Sequence, residues 1–267
     1  MANASIHMPT ALVTGAADGI GFATAERFAA SGWRVALLDL RDEAAQARAA
    51  ALGDDHIAIA CDVTDADSVR AAVTSVTERC GRIDALVNNA GISEQNAPTL
   101  EQTPEGFDRV LAVNLKGAFL MTQAVLATMR SQTRDERGQR GAIVNLGSIA
   151  SLAGIPGRNA YSAAKAGVLG MTRALASEWA REGIRVNAVA PGYVRTALVD
   201  DLVRRGAIDA HAIASRTPLG RMAEPAEIAE TIFFLSSPAA SYVTGAVLSA
   251  DGGWTAFGAP TGALADI

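Results

Sequence analysis

The chain has little of what marks metal, redox or nucleic-acid chemistry. Its two cysteines, Cys61 and Cys80, are too few for a disulfide framework or a zinc site. Its three histidines, His7, His56 and His211, are scattered, with no neighbour at ligand spacing, so no catalytic metal is expected. Positive charge is also scarce: 23 Lys and Arg face 28 Asp and Glu, for a net charge of −5. That balance argues against nucleic acid or an anionic membrane surface as partner. No apolar run approaches the ~20 residues a membrane helix needs. The opening residues, MANASIHMPT, lack the basic flank and apolar stretch of a secretion signal. No proline-rich or low-complexity linker divides the 267 residues. The expectation is one domain, residues 1–267, soluble, reduced and cytoplasmic.

What the chain does have is a rhythm. Short apolar runs fall at 11–15, 33–40, 56–63, 83–91, 141–148, 184–192 and 245–253. They are rich in Val, Ile, Leu and Ala and do not alternate with polar residues. Such runs read as strands buried on both faces. Helical patterns separate them, which argues an α/β, doubly wound, seven-stranded parallel sheet with helices on both faces. The polar stretch 131–141 reads as a solvated loop. One helix has a clear start, with Thr103 as N-cap and Pro104 at the first helical position. Its apolar stripe, Phe107, Val110, Leu111, Ala118 and Met121, also carries Asn114. That amide is either a satisfied core asparagine or a group placed beneath a site.

The segment TGAADGIG, 14–21, follows the first strand and opens a helix. Gly15, Gly19 and Gly21, with Asp18 and Ile20 between them, would let backbone approach a pyrophosphate at a helix N-terminus. Asp39 ends the second strand, where an acid can bind both hydroxyls of an adenosine ribose and repel the extra phosphate of NADP. Asp18 adds to that repulsion. Arg41 is the counter-indication, since a guanidinium there could hold a phosphate. The balance favours NAD over NADP.

Polar residues gather where the strands end. Asn88, Asn89 and Gly91 close one run, Ser148 the next, and Pro191 and Gly192 the one after. Tyr161 and Lys165, four apart, share a face of the helix after Ser148. A phenol has an unperturbed pKa of about 10, and a nearby cation would lower it enough for acid/base work. A surface tyrosine beside a solvated lysine is the plainer alternative.

Taken together and in order, these motifs resemble the single-domain short-chain dehydrogenase/reductases over about residues 9–254. The nucleotide motif TGxxxGxG stands at Thr14–Gly21, NNAG at Asn88–Gly91, YxxxK at Tyr161 and Lys165, and PG at Pro191 and Gly192. The resemblance implies a Rossmann fold and a catalytic set of Asn114, Ser148, Tyr161 and Lys165. By it, Tyr161 is the general acid/base, Ser148 holds the substrate oxygen, and Lys165 lowers the tyrosine pKa and binds the nicotinamide ribose. Asn114 would support a water that relays protons. Asp62 and Val63 would hold the adenine, and Asn89, Ala90 and Gly91 the adenosine ribose side. Val194 and Thr196 would fix the carboxamide and pyrophosphate.

The same resemblance implies a substrate lid near 197–216 and a homotetramer or homodimer. The helices near 104–130 and 159–181 resemble those that pack between subunits. In the tail, 254–267, Trp254 and Phe257 would cover either a neighbour's site or their own subunit. The implied activity is NAD-dependent oxidation of a secondary alcohol, a polyol, sugar or hydroxy acid, or reduction of its ketone. Ser93, Glu94, Gln95, Asn96, Arg158 and Asn159 would stand near the pocket mouth. A 3-oxoacyl thioester reductase is the alternative, and a non-catalytic nucleotide sensor a more remote one. The close YxxxK spacing disfavours trans-enoyl reductases, which space the pair more widely.

Overall fold

A computed structural model describes residues 8–93, 96–259 and 263. Seven parallel strands lie in the order β3-β2-β1-β4-β5-β6-β7. They are β1 (Thr10–Thr14), β2 (Arg34–Asp39), β3 (Ile57–Ala60), β4 (Ala85–Asn88), β5 (Gly141–Leu146), β6 (Ile184–Pro191) and β7 (Val247–Ala250). The period-two geometry of each strand sends alternate apolar residues into two cores. Leu12, Ala36, Leu38, Ile143 and Val186 face one layer, with helices α3 (Ala66–Cys80) and α5 (Gly117–Ser131). Ala11, Val13, Val35, Leu37, Val144 and Val189 face the other, with α1 (Gly19–Ala30) and α9 (Pro225–Ser236). Phe28 of α1 meets Phe233 of α9 edge to face, with ring centroids 5.3 Å apart. Helices α2 (Asp42–Leu52), α4 (Pro104–Leu111), α6 (Asn159–Trp179), α7 (Ala197–Arg204) and α8 (Ala210–Arg216) complete the chain.

All the strands but β1 are shorter than the apolar runs that foretell them. The run 56–63 forms strand only to Ala60, because Asp62 folds back and accepts from Thr64 N (2.9 Å) and Oγ1 (2.8 Å). The run 83–91 leaves the sheet after Asn88, because Asn89 and Ala90 turn onto Thr14. Strand order reverses between β1 and β4. There the connections leave in opposite directions and a crevice opens at the carboxyl ends.

Thr103 does cap α4, accepting from Gly106 N at 3.2 Å. Helices α4 and α5 are continuous through a π-helical turn, Ala112–Lys116, which contains Asn114. Such turns concentrate at functional sites. By length and composition alone the combined helix, Pro104–Ser131, could cross a bilayer, where the sequence reading found no apolar run of that length. Val110, Met121, Val125 and Met129 are nevertheless fully buried in the protein core. The stretch 131–141 is a largely exposed loop between α5 and β5, as expected, with local bonds that shape it. Asp135 accepts from Arg137 N and Gln139 N, and Arg134 reaches the carbonyls of Gly138 and Arg181.

Candidate active site

The crevice begins at the glycine turn. Gly15 has a φ of 62°, and a Cβ on Gly21 would stand 2.1 Å from the Gly15 carbonyl oxygen. The turn is braced from β4. Asn89 donates through Nδ2 to the carbonyls of Thr14 (2.9 Å) and Gly15 (3.0 Å), and Ala90 N donates to Thr14 Oγ1. Asn89 thus lines the cavity while its amide holds the turn. Asp18 is the N-cap of α1, accepting from Gly19 N at 2.8 Å. Ile20 lines the cavity beside it.

At the far end of the turn Asp39 is almost fully buried. Its Oδ2 accepts from Ala17 N at 3.1 Å, and its Oδ1 from Arg41 N and Nε at 3.0 and 3.3 Å. Arg41 is therefore drawn to the carboxylate. Arg48, not singled out from the sequence, donates to the Ala17 carbonyl at 3.2 Å with its guanidinium over Phe22. Val63 sends its side chain into the core, where a Cβ on Gly117 would meet it at 2.8 Å.

The chemical end forms where β4, β5 and β6 stop. A cavity of about 690 Å³ collects Gly91, Asn114, Ser148, Tyr161, Lys165, Pro191, Gly192, Val194 and Thr196. Ser148 begins a short capping box: its Oγ accepts from Ala150 N at 3.1 Å, and its N–H donates to Ser151 Oγ. That leaves the Ser148 hydroxyl on the same cavity as Tyr161, near enough to pull the phenol pKa down. Lys165 is buried and donates to the Leu146 carbonyl at 2.7 Å. Asn114 donates to the carbonyls of Ile92 (2.9 Å) and Val110 (3.0 Å). Its Oδ1 is buried without a partner. A Cβ on Gly91 would lie 2.5 Å from that oxygen and 3.6 Å from Lys165 Nζ, so both atoms border one small gap.

The electrostatics differ from the simple pairing read in YxxxK. Burial raises the Tyr161 pKa; the Ser148 hydrogen bond and the Arg158 charge oppose it. Burial also lowers Lys165 to about 8. The ammonium donates to the Leu146 carbonyl and lies 5.8 Å from the tyrosine ring centroid, while Ser148 and Arg158 also favour the phenolate. A general base held in an apolar cleft by specific partners is the arrangement expected of a catalytic group.

The lid region forms α7 and α8. Leu198, Val199 and Leu202, with Ala207 and Ile208, face the cavity. Thr196 caps α7, and Val194 bridges Ala223, closing the base of the lid. Together with Ile92, Ile149 and Ile155 these residues make apolar walls that sequence reasoning missed, since no motif marks them. Ser93, Asn96 and Arg158 do line the cavity; Asn159 instead bonds Thr99 Oγ1, and Glu94 and Gln95 lie outside the described residues. In the tail, Trp254 packs on Tyr193 (5.2 Å) and Arg216 sits between Trp254 and Phe257, so both aromatics cover their own chain. His7 and, in the tail, residues 260–262 and 264–267 lie outside the described residues.

The family described as enoyl-(acyl carrier protein) reductase matches residues 15–255. An uncharacterised short-chain type dehydrogenase/reductase of Sinorhizobium fredii is 45% identical over 252 residues, 94% of this chain but only 44% of that longer relative. D-threitol dehydrogenase of Mycolicibacterium smegmatis is 46% identical over 92% of both chains. Among solved structures, a 3-ketoacyl-(acyl-carrier-protein) reductase from Brucella melitensis complexed with NADH is similar, with TM-score 0.84 and 34% identity. It covers 92% of this chain and 98% of its own. ElxO with NADP bound has TM-score 0.86 and 29% identity over 94% and 100%.

Proposed function

The chain belongs to the short-chain dehydrogenase/reductase family, and from that premise we propose that it interconverts a secondary alcohol and its ketone with NAD as hydride carrier. The observation that carries the reading is a single cavity that brings Ser148, Tyr161 and the buried Lys165 together, with Lys165 one helical turn from Tyr161, and that also reaches the glycine turn. The steric demands at Gly15 and Gly21 fit a pyrophosphate resting on backbone at the start of α1. Gly15, Gly19, Ile20 and Gly21 would hold that end, and Pro191, Gly192, Val194 and Thr196 the nicotinamide end. When bound, the cofactor supplies the hydride acceptor or donor.

The chain supplies orientation and the proton. In oxidation Tyr161 Oη takes the alcohol proton while Ser148 holds the same oxygen. The free Oδ1 of Asn114 can anchor a water beside Lys165, giving the proton a way to solvent. Asp39 supports NAD, because a carboxylate at the ribose disfavours a phosphate there. Arg41 and Arg48 flank it and keep NADP as the second reading for the cofactor. The apolar cavity walls likewise keep a 3-oxoacyl thioester as the second reading for the substrate. The close Tyr161–Lys165 spacing disfavours enoyl reduction, whatever the family description names. Intact catalytic residues disfavour a nucleotide sensor.

We read the enzyme as cytoplasmic and as a homotetramer or homodimer. Its buried cysteines are free, and Phe234, Tyr242 and Leu248 are exposed on or near α9 and β7. The test of function is isotopic. An alcohol deuterated at the carbinol carbon should yield deuterated NADH by mass spectrometry. NADH without label would overturn direct hydride transfer.

A further inference from the structure

The charge lining the cavity is one-sided. Among the described residues that line it, only Lys165 and Arg158 are charged, and none is acidic, although the protein carries a net charge of −5. Lys165 is buried against Leu146 and belongs to the proton machinery. Arg158 stands half-buried just before α6, three residues from Tyr161, and its bond is to the Ser93 hydroxyl. Several other arginines of the lid and ribose ends have carboxylates: Arg41 has Asp39, Arg195 has Asp200 and Glu224, and Arg221 has Glu227; Arg48 and Arg216 are instead held by carbonyls and aromatic rings outside this cavity. Arg158 has no carboxylate among the described residues. A guanidinium with its forked donors turned toward a cleft is suited to a carboxylate. Arg158 and Tyr161 line the same cavity, three residues apart at the start of α6, so one short substrate can meet both.

The walls narrow the choice further. Ile149, Ile155, Leu198 and Leu202 offer no hydrogen-bond partner through their side chains. The hydroxyls of a polyol facing them would be left unpaired, at a penalty. We infer that the substrate is a hydroxy acid with an apolar body, whose carboxylate is held by Arg158 and Ser93 while its hydroxyl meets Tyr161 and Ser148. The inference rests on the dehydrogenase reading and names its substrate class. In the reaction the carbinol C–H leaves as hydride to NAD and the O–H proton goes to Tyr161. The C=O double bond forms, and the carboxylate is unchanged.

The test pairs 2-, 3- and 4-hydroxyhexanoate with their methyl esters, using NAD and following NADH, in wild type and Arg158→Gln. Binding of hexanoate to the enzyme with NADH is measured in parallel by calorimetry. At least one acid should exceed its ester in kcat/KM by about 10- to 100-fold, the worth of a charged hydrogen bond. Arg158→Gln should bring that ratio toward one, chiefly through KM, and weaken hexanoate by a similar factor; Arg158→Lys should restore part of both. Esters turned over as well as acids, with a ratio unmoved in Arg158→Gln, would overturn the inference and leave the dehydrogenase reading standing. No turnover of either, with hexanoate bound in an Arg158-dependent way, would overturn the dehydrogenase reading and support the anion subsite. No turnover and no Arg158-dependent binding would overturn both.

Discussion

Gly91→Ala isolates the packing that holds Asn114. Gly91 has no left-handed φ, so alanine meets no backbone strain there. The new methyl would stand 2.5 Å from Asn114 Oδ1, about 0.9 Å inside the 3.4 Å at which ordinary contact begins. Asn114 cannot yield freely, because its Nδ2 is held by the carbonyls of Ile92 and Val110 in a π-helical turn. Either the overlap persists, or the amide swings and leaves buried groups unpaired. Each route costs about 1–3 kcal/mol. For a chain of this size that lowers Tm by roughly 3–10 °C. Displacing a site group by nearly an ångström should also reduce kcat by about 10- to 100-fold. Scanning fluorimetry and steady-state kinetics read the two effects. Combined with Asn114→Ala, which removes the oxygen, Gly91→Ala should cost little more than Asn114→Ala alone. A single variant with wild-type Tm, or strictly additive losses in the double variant, would refute the steric reasoning.

Burial lowers Lys165 from 10.5 to about 8, so between those pH values the unfolded chain binds more protons and stability rises with pH. Lys165→Met should therefore be inactive yet more stable below pH 8, by up to about 3 kcal/mol, with the advantage closing toward pH 10.5; a pH-independent gap in urea denaturation would contradict this. Arg185 is buried and donates to the carbonyls of Leu235, Ser236, Ser237 and Val243 and to Gln139 Oε1, at 2.7 to 3.4 Å. Arg185→Met should lose about 3 kcal/mol in urea denaturation, and an unchanged midpoint would mean those carbonyls find other partners. Asp39→Ala should narrow the preference for NAD over NADP in kcat/KM, and an unchanged ratio would mean that Asp39 does not read the ribose.

Much of the fold could be read from the sequence because a doubly covered parallel sheet leaves continuous apolar runs, and all seven runs contain a strand. Their ends could not, because side chains that fold back decide them: Asp62 onto Thr64, and Asn89 onto Thr14. The residues of the site were visible because their types are unusual for their surroundings, an amide on an apolar stripe and a phenol and ammonium among alanines. The electrostatics were not. Four-residue spacing puts Lys165 on the same helical face as Tyr161, but it does not say that the ammonium turns to the Leu146 carbonyl or that burial raises the phenol pKa against Ser148 and Arg158. The cavity walls were hidden for a related reason. Ile149, Leu198 and Leu202 are ordinary apolar residues until the fold aligns them with Tyr161. The π-helical turn at Asn114 likewise has no signature in the stripe that carries it.

The most direct measurement is the near-ultraviolet absorbance of NADH when purified protein meets NAD and a panel of secondary alcohols and hydroxy acids. Wild type and Tyr161→Phe are run side by side, with NADH binding followed by fluorescence. The expected result is NADH formation by wild type alone, with NADH bound nearly equally by both. Comparable turnover by Tyr161→Phe would contradict the assignment of Tyr161 as the proton-transferring group.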